Sequence, residues 1–136
     1  MIVELRGRPV VAGKARGVAL VSKRPLSFLG GVDPESGVIT ERGHDVEGRS
    51  LRGVVFCFPH GHGSTVGSYV LYSLAKRGLG PRAIVNVEAD PVVVVGAVIA
   101  GIPMVDQIDI NLIRDGALVE VDGSEGTVKI IVEKQG

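Results

Sequence analysis

Arg52-Gly53-Val54-Val55-Phe56-Cys57-Phe58-Pro59-His60-Gly61-His62-Gly63-Ser64-Thr65 is the stretch on which the fold turns. Its first half is a continuous apolar run with no polar alternation, the pattern of a strand buried on both faces, and Pro59, which cannot donate to a sheet ladder, ends it. Its second half is a glycine-rich loop. Beyond the loop Val66, Tyr69, Val70, Ser73 and Leu74 fall on one helical face. Ser64 or Thr65 is placed to cap the start of that helix, Lys76 and Arg77 suit its negative end, and Gly78 can close it. A doubly buried strand, a loop and a helix in succession form the unit of an α/β fold.

Working outward, Arg82 to Val87 repeats the strand pattern, and Pro91 can open a second helix through Ala100 with Gly101 as its cap, although Val92 to Val95 alone favour a strand. Upstream, Ile2 to Leu5, Val10-Val11 and Val18 to Val21 are short β-type runs separated by Gly7, Gly13 and Gly17. Downstream, Ala117 to Val121, the turn Asp122 to Gly126 and Thr127 to Val132 alternate like a β-hairpin. Valine occurs 24 times and isoleucine 10 times against 10 leucines, a bias toward β-branched side chains that strands accommodate best. The expectation is a single α/β domain over residues 1–136, β-rich at both ends, with two main helices. Between Lys23 and Gly48 lies a long segment dense in turn formers. Its apolar pair Phe28-Leu29, next to Gly30-Gly31, suggests a surface that docks on something.

A chain of 136 residues with 45% hydrophobic and 22% charged residues has the composition of one folded domain. Fifteen basic residues balance 15 acidic ones, so no net field draws nucleic acid or anionic lipid. The longest apolar stretch, Val92 to Val105, is broken by Gly96, Gly101 and Pro103 and is shorter than the roughly 20 residues of a membrane span, so it reads as core. Charges in Met1 to Arg6 occupy the place of a signal peptide's apolar segment, and a cytoplasmic location is expected. The single cysteine, Cys57, forms no intrachain disulfide and cannot by itself hold an iron–sulfur cluster; any such cofactor must come from a partner. Inside an apolar strand Cys57 reads as an inert buried thiol.

Ser64 is the first candidate for chemistry. A glycine loop leading from a buried strand into a helix aims backbone N–H groups and the positive helix end at whatever sits there, which favours carboxylates and oxyanions. The same position equally suits a plain N-cap by Ser64 or Thr65. The loop lacks the Gly-Lys-Ser/Thr ending of a nucleotide P-loop and the spacing of a dinucleotide fingerprint. His60 and His62, two apart in the loop, could bind metal, carry a phosphoryl group or relay a proton, but no third ligand accompanies them.

Four stretches carry a resemblance over nearly the full length: Ser27-Phe28-Leu29-Gly30-Gly31-Val32-Asp33-Pro34, Phe58 to Thr65, Ile102-Pro103-Met104-Val105-Asp106 and Gly116 to Asp122. With these the chain resembles the small, swivelling-domain component of the aconitase X family. The resemblance implies a swivelling β/β/α domain like the small domain of aconitase. It also implies a hydro-lyase subunit, active only with a large subunit as a heterodimer. The reaction so implied is dehydration of (R)-5-phosphomevalonate to trans-anhydromevalonate 5-phosphate in an isoprenoid route. The large subunit would carry an iron–sulfur cluster, of the 4Fe-4S type, and most contacts to the phosphorylated hydroxy acid. Ser64 matches the family's serine base, with His62, Gly63 and Thr65 beside the substrate; His62 stands where the family loop usually has arginine. Three other readings stand beside this one: a relative acting on hydroxyproline, a phosphohistidine carrier accepting on His60 or His62, and a non-catalytic scaffold in which Ser64 is only a cap.

Overall fold

A computed structural model describes residues 1–132. In chain order the elements are β1 (Ile2–Arg6), β2 (Arg8–Val11), β3 (Lys14–Val21), a distorted single helical turn α1 (Phe28–Gly31), β4 (Val55–Phe58) and α2 (Gly67–Lys76). They continue as β5 (Ala83–Asn86), α3 (Pro91–Ala100), β6 (Met104–Asp106), a short 3-10 turn (Ile110–Leu112), β7 (Leu118–Asp122) and β8 (Thr127–Ile131). No helix among the described residues is long and apolar enough to cross a membrane.

Strand β3 is the joint of the fold. Its first half, Lys14 to Val18, pairs antiparallel with β7, while Ala19 to Val21 pair in parallel with β4. One half thus belongs to an antiparallel layer of β1, β8 and β7, and the other to a parallel layer of β4, β5 and β6, edged by antiparallel β2. Gly7 alone separates β1 in the first layer from β2 at the far edge of the second. Its N–H donates to the Gly126 carbonyl at 2.8 Å, and a Cβ there would lie 2.1 Å from the Asp106 carbonyl oxygen, so only glycine lets the chain cross.

The parallel layer is sandwiched, which is why its strands lack polar alternation. Val55 and Cys57 face the antiparallel layer, among Ala19, Val85, Val105, Val119, Val121 and Val128. Phe56 and Phe58 face the helices, among Leu71, Leu74, Val93 and Ala97. Their rings stack with centroids 4.2 Å apart, and Phe28 meets Phe58 edge-on at 6.3 Å. Each buried phenylalanine contributes about 1.5–3 kcal/mol of transfer free energy.

The second helix starts and ends as its sequence predicts. Asp90 caps it by accepting the N–H groups of Val92 and Val93, Pro91 takes the first position, and Gly101 closes it at φ 69°. These end signals override the strand preference of Val92 to Val95. Helix α2 buries Leu74 and packs Val70 on the core as expected, but leaves Val66 and Tyr69 outside. Its buried residues are Gly67, Ser68, Leu71 and Leu74, and Tyr69 is 68% exposed. The cause is tertiary: Gly96 of α3 lies so close that a Cβ would stand 2.9 Å from Leu71 Cδ2, and Ser68 Oγ donates to the Val92 carbonyl at 2.6 Å. The helices approach through small residues, and the aromatic ring is left outside.

The segment from Lys23 to Gly48 is ordered by apolar anchors: Leu26, Phe28, Val32, Ile39 and Val46 all enter the helix-side core. The Phe28-Leu29 pair is split, with Phe28 1% exposed and Leu29 44% exposed, so only Leu29 is a surface residue. Strand β6, three residues long, is too short to show a period.

Candidate functional site

Strands β3, β4 and β5 run parallel and end together at Val21, Phe58 and Asn86, so the segments that follow them gather at one edge, where open α/β sheets bind ligands. The glycine loop sits at that edge and is held from two sides. Leu26 pairs with it: the Leu26 N–H donates to the His60 carbonyl at 3.3 Å, and the His62 N–H donates to the Leu26 carbonyl at 3.2 Å. From the other side the Asp90 carboxylate accepts the Gly61 N–H at 2.8 Å. The loop after β5 is tied to the same place, with the Val87 and Glu88 N–H groups donating to the Pro59 carbonyl.

Gly63 turns the chain at φ +91°, and a Cβ there would lie 2.5 Å from Ser27 Oγ. The turn presents Ser64 and Thr65 to solvent. Ser64 Oγ accepts the Val66 N–H at 3.1 Å, and the Ser64 and Thr65 carbonyls accept from Gly67 and Ser68. The expected cap is therefore one turn early. The helix begins at Gly67 with no side-chain cap, and Ser64 stabilises the turn that leads into it. Among the described residues the N–H groups of Gly63, Ser64 and Thr65 have no acceptor. They stand just ahead of the N-terminus of α2, and free N–H groups at such a place suit a carboxylate, a phosphate or an alkoxide.

His62 is exposed beside these N–H groups. His60, also exposed, turns back, its Nδ1 donating to the Gly61 carbonyl at 2.8 Å. The two histidines, Gly63, Ser64 and Thr65 thus lie on one exposed turn. Among the described residues no set of three His, Cys, Asp or Glu side chains gathers as a metal site. Cys57, on β4 two residues before Pro59, is fully buried between the two layers, and burial pushes its thiol up to about 12, with the negative charge of Asp115 adding to the effect. It remains a neutral thiol and is a poor ligand.

Reading the sequence missed three residues. Asp90 was legible, since an aspartate just before a helix-opening proline is a cap signal. Asn86, fully buried, donates from Nδ2 to the Phe58 carbonyl at 3.0 Å and so fixes the strand end from which the loop departs. Asp106 is buried against the Arg8 guanidinium and accepts the Ala89 N–H at 2.9 Å, bracing the neighbouring loop. Burial pushes the Asp106 carboxyl up, but the bonds from Arg8 and Ala89 outweigh it and hold it below the usual carboxylate range. No local pattern announces either residue. Beside the loop, Thr65, Ser68, Tyr69, Pro91, Val92, Val95 and Ile99 line an apolar cleft of about 340 Å³ between α2 and α3.

Residues 4–130 match the family model for the aconitase X swivel domain. The chain is 53% identical over 131 residues to the phosphomevalonate dehydratase small subunit of Pyrococcus furiosus, covering 96% of this chain and 98% of that one. It is likewise 53% identical over 129 residues to the phosphomevalonate dehydratase small subunit of Methanocaldococcus jannaschii, covering 95% and 98%. A chain of the crystal structure of Thermococcus kodakaraensis aconitase X in its holo-form superposes with a TM-score of 0.94 at 48% identity, covering 96% of this chain and 99% of the other.

Proposed function

Because the chain belongs to the aconitase X swivel-domain family, we propose that it is the small subunit of a two-subunit hydro-lyase that dehydrates (R)-5-phosphomevalonate to trans-anhydromevalonate 5-phosphate. The relatives' shared name, phosphomevalonate dehydratase small subunit, supports the activity. Residues 1–136 act as one swivelling domain, and Ser64 is its base. The observation that carries the base assignment is the exposed Ser64 hydroxyl, set on a glycine turn and receiving the Val66 N–H at 3.1 Å.

The chemistry asks for removal of a weakly acidic proton from C2, beside the carboxylate, and loss of hydroxide from C3, with a double bond forming between the two carbons. Ser64 accepts the proton as its alkoxide. Lowering a hydroxyl pKa by about five units takes about 7 kcal/mol. A helix end contributes at most about 2 kcal/mol, and an N–H donated to a charged oxygen about 1.5–3 kcal/mol. Those two terms leave a deficit, so the isolated chain is inactive and the large subunit supplies the remainder. Gly63 and Thr65 offer N–H groups to the anionic substrate, and His62 stands at the mouth of the turn.

The iron–sulfur cluster that the family implies does not fit the residues of this chain. Cys57 is sealed in the core, and no ligand set gathers among the described residues. The cluster, of 4Fe-4S type, is assigned to the large subunit, as is departure of the hydroxyl. The large subunit covers the Ser27–Asp33 segment and the Pro59–Thr65 loop; exposed Leu29, Tyr69, Val95 and Ile99 around that end support such a contact.

Ser64→Ala in the assembled enzyme tests the assignment. Turnover should fall by about 10²–10⁴-fold, the usual contribution of a positioned base, while assembly and substrate binding persist. Thr65→Ala should keep part of the activity. Near-normal turnover of Ser64→Ala would remove Ser64 from the role.

A further inference from the structure

The structure assigns Asp90 as a positioning residue for the reaction: its carboxylate locks the loop that carries Ser64 onto the first turn of α3. The inference rests on the assignment of Ser64 as the base.

The two oxygens of Asp90 do different work. Oδ2 accepts the Val92 N–H at 3.1 Å and the Val93 N–H at 3.4 Å, which is the helix cap. Oδ1 accepts the Gly61 N–H at 2.8 Å. A cap alone needs one acceptor, and serine or asparagine would supply it as well. The second oxygen binds a loop 29 residues away in sequence. The contact is tight: a Cβ on Gly61 would stand 2.7 Å from Asp90 Oδ1 and 2.4 Å from Val93 Cγ2.

Between Gly61 and Ser64 lie only His62 and Gly63. His62 is pinned through its N–H to Leu26, whereas Gly63, at φ +91°, has no side chain to restrain the turn. Leu26 and Asp90 are therefore the clamps nearest the hydroxyl on its upstream side, with the Pro59 carbonyl tied farther back. Asp90 is itself braced, since the adjacent Ala89 N–H donates to Asp106, whose carboxylate the Arg8 guanidinium holds. A charged acceptor on a backbone N–H, backed by a buried carboxylate that an exposed guanidinium pairs with, makes a stiff clamp.

The test uses the reconstituted two-subunit enzyme. Asp90→Ser keeps a helix cap but is too short to reach Gly61, whereas Asp90→Ala loses both. Asp90→Ser should lower kcat by about 100-fold, the effect of displacing a reacting group by about 1 Å, with KM changed by less than about twofold. The melting temperature should fall, because the buried Gly61 N–H loses its charged acceptor, while the amount of complex should stay at the unsubstituted value and backbone hydrogen exchange across residues 59–65 should quicken. Asp90→Ala should show the same loss of kcat together with a melting temperature lower still, because it also loses the helix cap. In an S64A background Asp90→Ser should cost nothing further, because the clamp acts through the hydroxyl.

Unchanged kcat, unchanged loop exchange, or a second full loss on top of S64A would each overturn the inference. If Ser64→Ala alone retained turnover, the base assignment would fall. Loop exchange in Asp90→Ser would still decide whether Asp90 holds the loop.

Discussion

Raising the pH should weaken the fold through Cys57. The thiol is fully buried on β4, Sγ donates to the Val55 carbonyl at 3.7 Å, and burial lifts its pKa from 9.0 to about 12. The unfolded chain releases this proton near the ordinary value, while the folded chain holds it until about pH 12. A pKa raised on folding contributes stability that is complete below the unfolded value and is lost as pH climbs toward the folded one, at about 1.4 kcal/mol per pH unit. The loss from this group is therefore about 1.4 kcal/mol at pH 10 and about 2.7 kcal/mol at pH 11. Cys57→Ala lacks the slope and gives up about 1 kcal/mol of packing at neutral pH. The two stabilities should meet near pH 10 and invert above it. Urea unfolding of both proteins between pH 7 and 11 measures the difference directly, since lysines and tyrosines titrate alike in both. Parallel curves, or rapid reaction of the native thiol with a disulfide reagent at pH 8, would refute the reasoning. Iron content of the assembled enzyme should be the same for both proteins.

Phe28→Ala should destabilise the chain by about 3–5 kcal/mol, because it empties a core site against Phe58, whereas Leu29→Ala should change stability little; denaturant unfolding checks both. Gly61→Ala should lower kcat and the melting temperature together, since the added methyl collides with Val93 and Asp90, and a variant with wild-type kinetics would show that the loop has room. Val95→Asp or Tyr69→Asp should leave the fold intact, because both side chains are exposed, yet weaken co-elution with the large subunit on size exclusion.

The local setting of the candidate site was readable along the chain. Ser64 stands where a doubly buried strand hands over to a helix, and that handover is visible in the run from Val54 to Phe58 followed by glycines. The neutral thiol of Cys57 was equally readable, because its neighbours are apolar. The detailed role of Ser64 was not. A serine near a helix start reads as a cap, and the actual start at Gly67 depends on how closely α2 packs against α3. The same packing reversed the expectation for Tyr69: Gly67 and Ser68 look like surface residues until Val92 is brought against the one and Gly96 against the other.

The sequence by itself determined what depends on neighbours within a few residues: the end of β4 at Pro59, the Pro91 and Gly101 signals of α3, the terminal hairpin and the glycine turn bearing Ser64. Tertiary structure alone decided what depends on residues far apart. It set the division of β3 between two layers, the three-residue strand β6, the burial of Phe28, and the clamps from Asp90, Asn86 and Asp106. The physical reason is range. Capping, turn chemistry and periodicity act over about one turn of chain, whereas a single hydrogen bond such as Gly61 to Asp90, or Arg8 to Asp106 across 98 residues, is formed only after the sheet has brought its partners together.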